Sequence, residues 1–184
     1  QLMTNLFRKV KKNTFRSISI PKFDKSIDDR CKKNSWFKLK KKPDILILEG
    51  WCVGARAEGS KSLNKPINVL EKNADKKKIW RSYVNNQLKL KYSKLFDQLD
   101  SLLYLKAKNF KLLKRWRLKQ EKKLKMKSGT KKNSKIMNEK EVETFMMTYQ
   151  RITQNMFKNT PKYSSAVIDL NENHQIKKVK FKHA

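Results

Sequence analysis

The 184-residue sequence predicts an α/β fold in which a mostly parallel sheet is flanked by helices, and three observations carry that prediction. Short apolar runs stand at residues 45–48, 102–105 and within 165–170, with the length and composition of strands buried on both faces. Segments of helical period separate them, at about 75–99, 109–125 and from 138 onward. Strand and helix therefore alternate, which is the pattern of a parallel sheet in a single domain.

Taken in order, residues 2–12 read as a helix with Leu2, Leu6 and Val10 on one stripe. Residues 16–20 read as a short strand in which Ile18 and Ile20 alternate with Ser, stopped by Pro21. A polar loop, 21–31, follows. Residues 44–49 place four aliphatic side chains between Pro43 and Gly50, and this is the expected central strand. Residues 54–66 form a loop with Gly54, Gly59 and Pro66. Ile79, Tyr83, Leu88, Tyr92, Leu95, Phe96 and Leu99 recur at helical spacing, with a break expected near 89–91. Residues 101–107 are a second strand, Asn109 caps a helix to about 125, and 126–136 read as a mobile loop. Asn138 with Glu141 resembles a capping box ahead of the stripe Val142, Phe145, Met146, Tyr149, Ile152, Met156 and Phe157. Residues 165–170 are a third strand and 175–181 an edge strand.

The formal net charge is +31, from 47 basic residues of which eight are Arg and 39 Lys. Nucleic-acid surfaces favour Arg for bidentate contacts and interleave aromatic side chains for stacking. Here the runs at Lys38–Lys42 and Lys76–Lys78 lie between apolar segments without that pattern, so they read as solvated faces. A basic nucleic-acid module stays as the alternative function, beside a non-catalytic remnant of an enzyme. The same charge raises the encounter rate of any small anion. Cys31 and Cys52 have neither His nor Cys near them in sequence, so neither a metal site nor a disulfide is expected, and a reducing cytoplasm is. No apolar run approaches the roughly 20 residues of a membrane span, and no membrane partner is expected.

Ligand sites in open α/β sheets lie at the carboxyl ends of strands. Glu49 ends the run 45–48 and can hold a hydrated Mg²⁺ beside phosphates, or stand as an ordinary exposed strand-end Glu. Asp24, Lys25, Asp28, Asp29 and Arg30 follow the first strand. Carboxylates there can accept the hydroxyl protons of a polyhydroxy acid while Lys and Arg pair its anionic group, or the segment is a solvated loop. Arg115 and Arg117 precede the loop 126–136 and suit a lid (about 109–137) that closes on transferring phosphates; an Arg117–Glu121 surface pair is the other reading. Trp36, Trp51, Trp80 and Trp116 read as core or pocket walls, and His174 and His183 as polar-tail residues.

The order of these pieces resembles a known family. Pro21-Lys22-Phe23-Asp24-Lys25-Ser26-Ile27-Asp28-Asp29-Arg30 is similar to the P-x-F-D-K-x-x-D-D-R motif of D-glycerate 3-kinase-like proteins, members of the phosphoribulokinase, uridine kinase and pantothenate kinase group of P-loop kinases. Leu48-Glu49-Gly50-Trp51-Cys52-Val53-Gly54 resembles their L-E-G-W-x-x-G segment. Pro66-Ile67-Asn68, Trp80-Arg81-x-Tyr83-Val84-Asn85, Trp116-Arg117-x-x-Gln120-Glu121 and Phe145-x-x-x-Tyr149 follow in the family's order. The resemblance implies a P-loop kinase-like fold and transfer of the ATP γ-phosphoryl, with Mg²⁺, to a hydroxyl of a small acid such as D-glycerate. It implies Glu49 in the metal–water shell as a catalytic residue, Asp24, Lys25 and Arg30 at the acceptor with Asp28, Asp29 and Arg56 as further candidates, and Arg115 and Arg117 as lid residues, Arg117 also on the nucleotide. The family also carries a G-x-x-x-x-G-K-S/T loop and an acidic residue after its second strand. The four glycines here, Gly50, Gly54, Gly59 and Gly129, form no such loop, and that acid is not found. The expectation is an N-terminally truncated kinase that is inactive alone.

Overall fold

Residues 2–12, 14–24, 29–128 and 136–182 are described by a computed structural model, which divides into two compact units, Gln1–Gly50 and Trp51–Ala184. In the first, helix α1 (Leu2–Lys11) buries Phe7 and Val10. The stripe is thus i, i+3 through Phe7, and Leu2 lies 48% exposed rather than on it. Strand β1 (Ile18–Ile20) pairs antiparallel with β4 (Phe37–Leu39), Ile18 opposite Leu39; β4 has too short an alternation to be read from sequence. Between them β2 (Phe23–Asp24) and β3 (Asp29–Arg30) make a two-residue antiparallel ladder, so part of the expected polar loop is a hairpin. The Cys31 amide donates to the Lys22 carbonyl at 2.8 Å and the Trp36 indole to the Cys31 carbonyl at 2.8 Å, closing it.

The expected central strand at 44–49 is corrected by the structure. This segment has no regular secondary structure, with Ile45 77% and Ile47 82% exposed. A doubly buried strand needs hydrogen-bonded neighbours and covered faces, and among the described residues no ladder reaches 44–49.

In the second unit, β5 (Leu103–Lys106) pairs parallel with β6 (Ala166–Leu170), and β6 pairs antiparallel with β7 (Ile176–Phe181). The mostly parallel sheet thus reduces, among the described residues, to one parallel pair, because 44–49 contributes no strand. Central β6 buries Ala166 and Val167, while edge β7 is exposed along its length and carries Lys177, Lys178 and Lys180, charges that discourage edge pairing.

The helices of this unit follow local signals closely. Helix α2 (Val69–Ala74) starts where Asn68 Oδ1 accepts from the Glu71 amide at 2.9 Å. Helix α3 (Ile79–Gln87) runs through a π-helical turn, Leu88–Tyr92, into α4 (Ser93–Phe96), so the break expected at 89–91 is a change of winding. Asn109 caps α5 (Phe110–Ser128), accepting from the Leu112 amide at 2.9 Å; residues 126–128 are helical rather than loop, and 129–135 of the expected lid loop lie outside the described residues. Helix α6 (Glu139–Asn159) begins with a complete capping box between Asn138 and Glu141. Its stripe buries Val142, Met146 and Met156, and Met156 joins Ala55 and Leu88 in the core against Cys52, Ala57, Tyr104 and Ile152.

Two buried arginines tie loops to these helices. Arg151 on α6 donates to both Glu71 oxygens at 2.8 and 2.6 Å, to Glu58 Oε2 at 3.3 Å, and to the Ser62 and Lys65 carbonyls at 3.2 and 2.7 Å. Arg81 on α3 donates to Asp75 Oδ2 at 3.0 Å and to the Leu63 carbonyl at 2.8 Å. Gly54, at φ +79°, turns the chain where a Cβ would stand 2.7 Å from Leu102 Cδ2, and its carbonyl accepts from Tyr163 Oη at 2.9 Å.

Candidate functional site

A cavity of about 430 Å³ opens in the second unit between Trp51, helix α5 and the turn before β7. Leu113, Trp116, Gln120 and Lys123 recur along α5 at helical spacing and line it with Arg117, Lys119 and His174. Trp51 stacks on Tyr149, centroids 4.9 Å apart and planes 7° from parallel, and meets Phe145 at 6.3 Å. Phe145 and Tyr149, one turn apart on α6, contact each other at 5.1 Å. Two segments more than 90 residues apart in sequence therefore converge on one aromatic cluster. Offset and tilted ring pairs of this kind hold their members in fixed orientation.

Arg117 sits over this cluster, its guanidinium carbon 5.2 Å from the Phe145 ring centroid. Its Nη2 pairs with Glu121 Oε1 at 2.5 Å and its Nη1 donates to Gln120 Oε1 at 2.7 Å. Its Nε is buried without a hydrogen-bond partner. Glu121, 4% exposed, accepts from the Met137 amide at 3.0 Å through its other oxygen. One buried carboxylate thus fixes the arginine and the chain entering α6 together. On the far side Trp116 donates its indole N–H to the Glu172 carbonyl at 2.9 Å and lies 4.2 Å from the His174 ring. His174 takes φ 63° in a turn organised by Asn171 Oδ1, which accepts from the Asn173 and Gln175 amides at 2.9 Å each. With Glu121 committed to Arg117, the lining is cationic through Arg117, Lys119 and Lys123, and flanked by aromatic rings. Such a lining suits a planar or anionic ligand. An orphaned arginine donor fits an anion such as a phosphate group.

The sequence-derived candidates separate. Arg117 lines the cavity. Arg115, on another face of α5, is instead exposed and pairs with Glu172 Oε2 at 3.0 Å, because a two-residue offset rotates it about 200° around the helix. Arg56 lies over the Tyr163 ring at 4.0 Å and lines a different cavity. In the first unit, Asp24 faces Asp29 and Phe23 faces Arg30 across the β2–β3 ladder, and Asp29 Oδ1 accepts from the Arg30 amide at 2.6 Å. Lys25 and Asp28 lie outside the described residues, as does His183. Glu49 is exposed and ends no strand, so the strand-end position that singled it out is not present. Among the described residues no three His, Cys, Asp or Glu side chains gather. Burial pushes the Cys52 thiol up to about 11, so it is a core residue and no thiolate nucleophile at neutral pH. Among the described residues no helix is long and apolar enough to cross a membrane.

Sequence reading passed over Glu121, Phe145, Tyr149 and His174 as site residues. The first three stood in the quoted motifs, where spacing cannot tell a site wall from a core stripe; nothing in the sequence brings His174 to Trp116.

No family model matches the chain. It is 31% identical over 153 residues to an uncharacterized kinase, mug58, of Schizosaccharomyces pombe, covering 80% of this chain and 52% of that protein. It superposes on D-glycerate 3-kinase from Cryptococcus neoformans var. grubii with a TM-score of 0.71 at 22% identity, over 98% of this chain and 66% of the other. The YGR205w protein gives 0.68 at 24% identity, over 97% and 62%. The chain spans about half the length of the curated relative and under two thirds of the two solved structures. Its α/β fold is similar to that of the D-glycerate 3-kinase structure, and the curated relative it matches is named an uncharacterized kinase.

Proposed function

We propose that the chain forms part of an ATP-dependent small-molecule kinase that phosphorylates a hydroxyl of a small acid, with D-glycerate as the acceptor to test first. The observation that carries this reading is Arg117, held by Glu121 with an orphaned Nε beside a cationic, aromatic-walled cavity. A guanidinium fixed in advance stabilises charge that grows on transferring phosphoryl oxygens without reorganising during the step. Mg-ATP supplies the phosphoryl group and the metal charge. Arg117 is the lid residue and nucleotide contact in this reading, with Lys119 and Lys123 adding positive potential around it. Arg115 acts only through its hold on the 171–175 turn, or by leaving Glu172 on closure. Asp24, Lys25, Asp28, Asp29, Arg30 and Arg56 are proposed for the acceptor, and Glu49 for a metal-bound water.

Residues 1–184 contain no glycine loop of the G-x-x-x-x-G-K type, so that element belongs in this reading to another part of a longer P-loop kinase polypeptide. By itself the chain should hold Mg-ATP weakly. Calorimetry on residues 1–184 tests this: micromolar Mg-ATP affinity overturns it, and affinity recovered only in the longer polypeptide supports it.

A further inference from the structure

We propose that the outer face of α3 and the cavity beneath it dock an acidic amphipathic segment of a protein partner, one bulky apolar side chain of which enters the cavity. Helix α3 buries Arg81 and Asn85 on its inner side, yet its outer side carries Ile79, Trp80 and Tyr83 at 69%, 60% and 54% exposure. Trp80 and Tyr83 stack on each other, centroids 6.0 Å apart. Large apolar side chains gathered on one solvent face mark an interaction site more often than scattered ones do.

Trp80 also forms one wall of a half-open cavity of about 200 Å³, lined on its apolar side by Leu70, Val84, Met147 and Ile152. Apart from Arg56, whose guanidinium lies over the Tyr163 ring, its charged groups are already engaged. Arg151 is occupied by Glu71 and Glu58, Arg81 by Asp75, and Asn85 exchanges hydrogen bonds with the Glu58 amide and carbonyl at 2.8 and 3.0 Å. Away from Arg56, a sugar or nucleobase entering between Trp80, Leu70, Val84, Met147 and Ile152 would lose its water hydrogen bonds and find no free partner, whereas an aliphatic or aromatic side chain would lose nothing. A half-open hollow of this size also fits a protruding anchor better than the plane of a membrane.

Charge fixes the character of the remaining partner surface. The sequence has no Asp or Glu between Asp75 and Asp97. Over that stretch Lys76, Lys77, Lys89, Lys91 and Lys94 are exposed and, among the described residues, form no ion pair. Glu58, Glu71 and Asp75 in the adjoining cavity are committed to Arg151 and Arg81, so the unpaired exposed charges of this stretch are lysines, and an apolar strip among them is complementary to an apolar stripe flanked by carboxylates.

The proposal shares only the cavity-lining Arg56 with the kinase reading and rests on none of its other residues, and its test must separate it from the attraction of a +31 chain for any polyanion. The probe is a labelled helical peptide of about 16 residues with a Leu/Phe stripe and Glu elsewhere, compared with a scramble of the same composition. Fluorescence anisotropy at about 0.15 M salt, where the screening length is about 8 Å, reads both affinities on the full chain. The striped peptide should bind at least about tenfold tighter than the scramble, and Trp80→Ala or Ile79→Ser should erase that preference. Both positions are exposed, so an unchanged melting temperature certifies the fold. Equal affinity for the scramble overturns the proposal. So does Trp80-dependent binding of oligothymidine or of phosphatidylserine vesicles in place of the peptide. Self-association that Ile79→Ser abolishes and the peptide does not compete would assign the face to a second copy and also overturn it.

Discussion

Replacing Arg151 with Met removes the most heavily used side chain of the second unit. The methionine keeps much of the apolar stem, so the change isolates the guanidinium and its five hydrogen bonds, two of them to Glu71. Glu71 and Glu58 side chains are only 12% and 17% exposed, and both lose their cation. Breaking a buried pair from one side costs about 3–5 kcal/mol, because a desolvated charge is left without compensation. That is a large part of the 5–15 kcal/mol typical of a domain. In urea, with a slope of about 1–3 kcal/mol per molar, the unfolding midpoint should drop by at least about 1 M. The double variant Arg151→Met/Glu71→Leu should recover part of the loss, since the main uncompensated charge is gone. A single-variant loss below about 1 kcal/mol refutes the reasoning. A double variant no more stable than the single one refutes the charge as its cause.

Further outcomes follow from the same geometry. Burial opposes ionisation of Glu71, but the hydrogen bonds from Arg151 and the Ile67 amide outweigh it and lower its pKa, and the Trp80 and Arg81 amides do likewise for Asp75 against burial. Depressed folded values give stability that is present above the ordinary carboxylate values of 4.5 and 3.8 and lost as pH falls below them. The melting temperature should hold from neutral pH to about 5 and then decline, and calorimetry finding no decline by about pH 3 contradicts this. Asn138→Ala removes the capping box of α6 and should cost about 1 kcal/mol in chemical denaturation; no loss would mean that the cap is redundant. Gly54→Ala forces a Cβ to 2.7 Å from Leu102 at φ +79° and should cost about 1–3 kcal/mol by the same assay, an unchanged midpoint being the contrary result.

What the sequence disclosed is what local chemistry determines. Asn109 and Asn138 cap helices because an Asn side chain can reach amides two or three residues on, and α6's stripe is set by its own period. The break in period at 89–91 marked the π-helical turn for the same reason. Strand identity depends on neighbours, which is why 45–48 read as a buried strand from composition and is exposed chain in the structure. The site was half legible. Arg117 was singled out by its place on α5, whereas Arg115 was included only because sequence proximity hides the rotation between them. Glu121 read as a surface partner, since an i, i+4 spacing carries no information about burial. Trp51 meeting Tyr149 across 98 residues is a tertiary event that no local pattern encodes.

The central claim is that this fold serves phosphoryl transfer through Arg117. Its most direct test is ADP release from Mg-ATP in the presence of D-glycerate, measured on residues 1–184 within the longer kinase polypeptide proposed above. The account predicts glycerate-dependent turnover, with Arg117→Ala lowering kcat by about a hundredfold or more in protein that is destabilised by the loss of Glu121's partner but still folded at the assay temperature. Turnover that Arg117→Ala leaves intact, or no transfer to any small hydroxy acid, would contradict it.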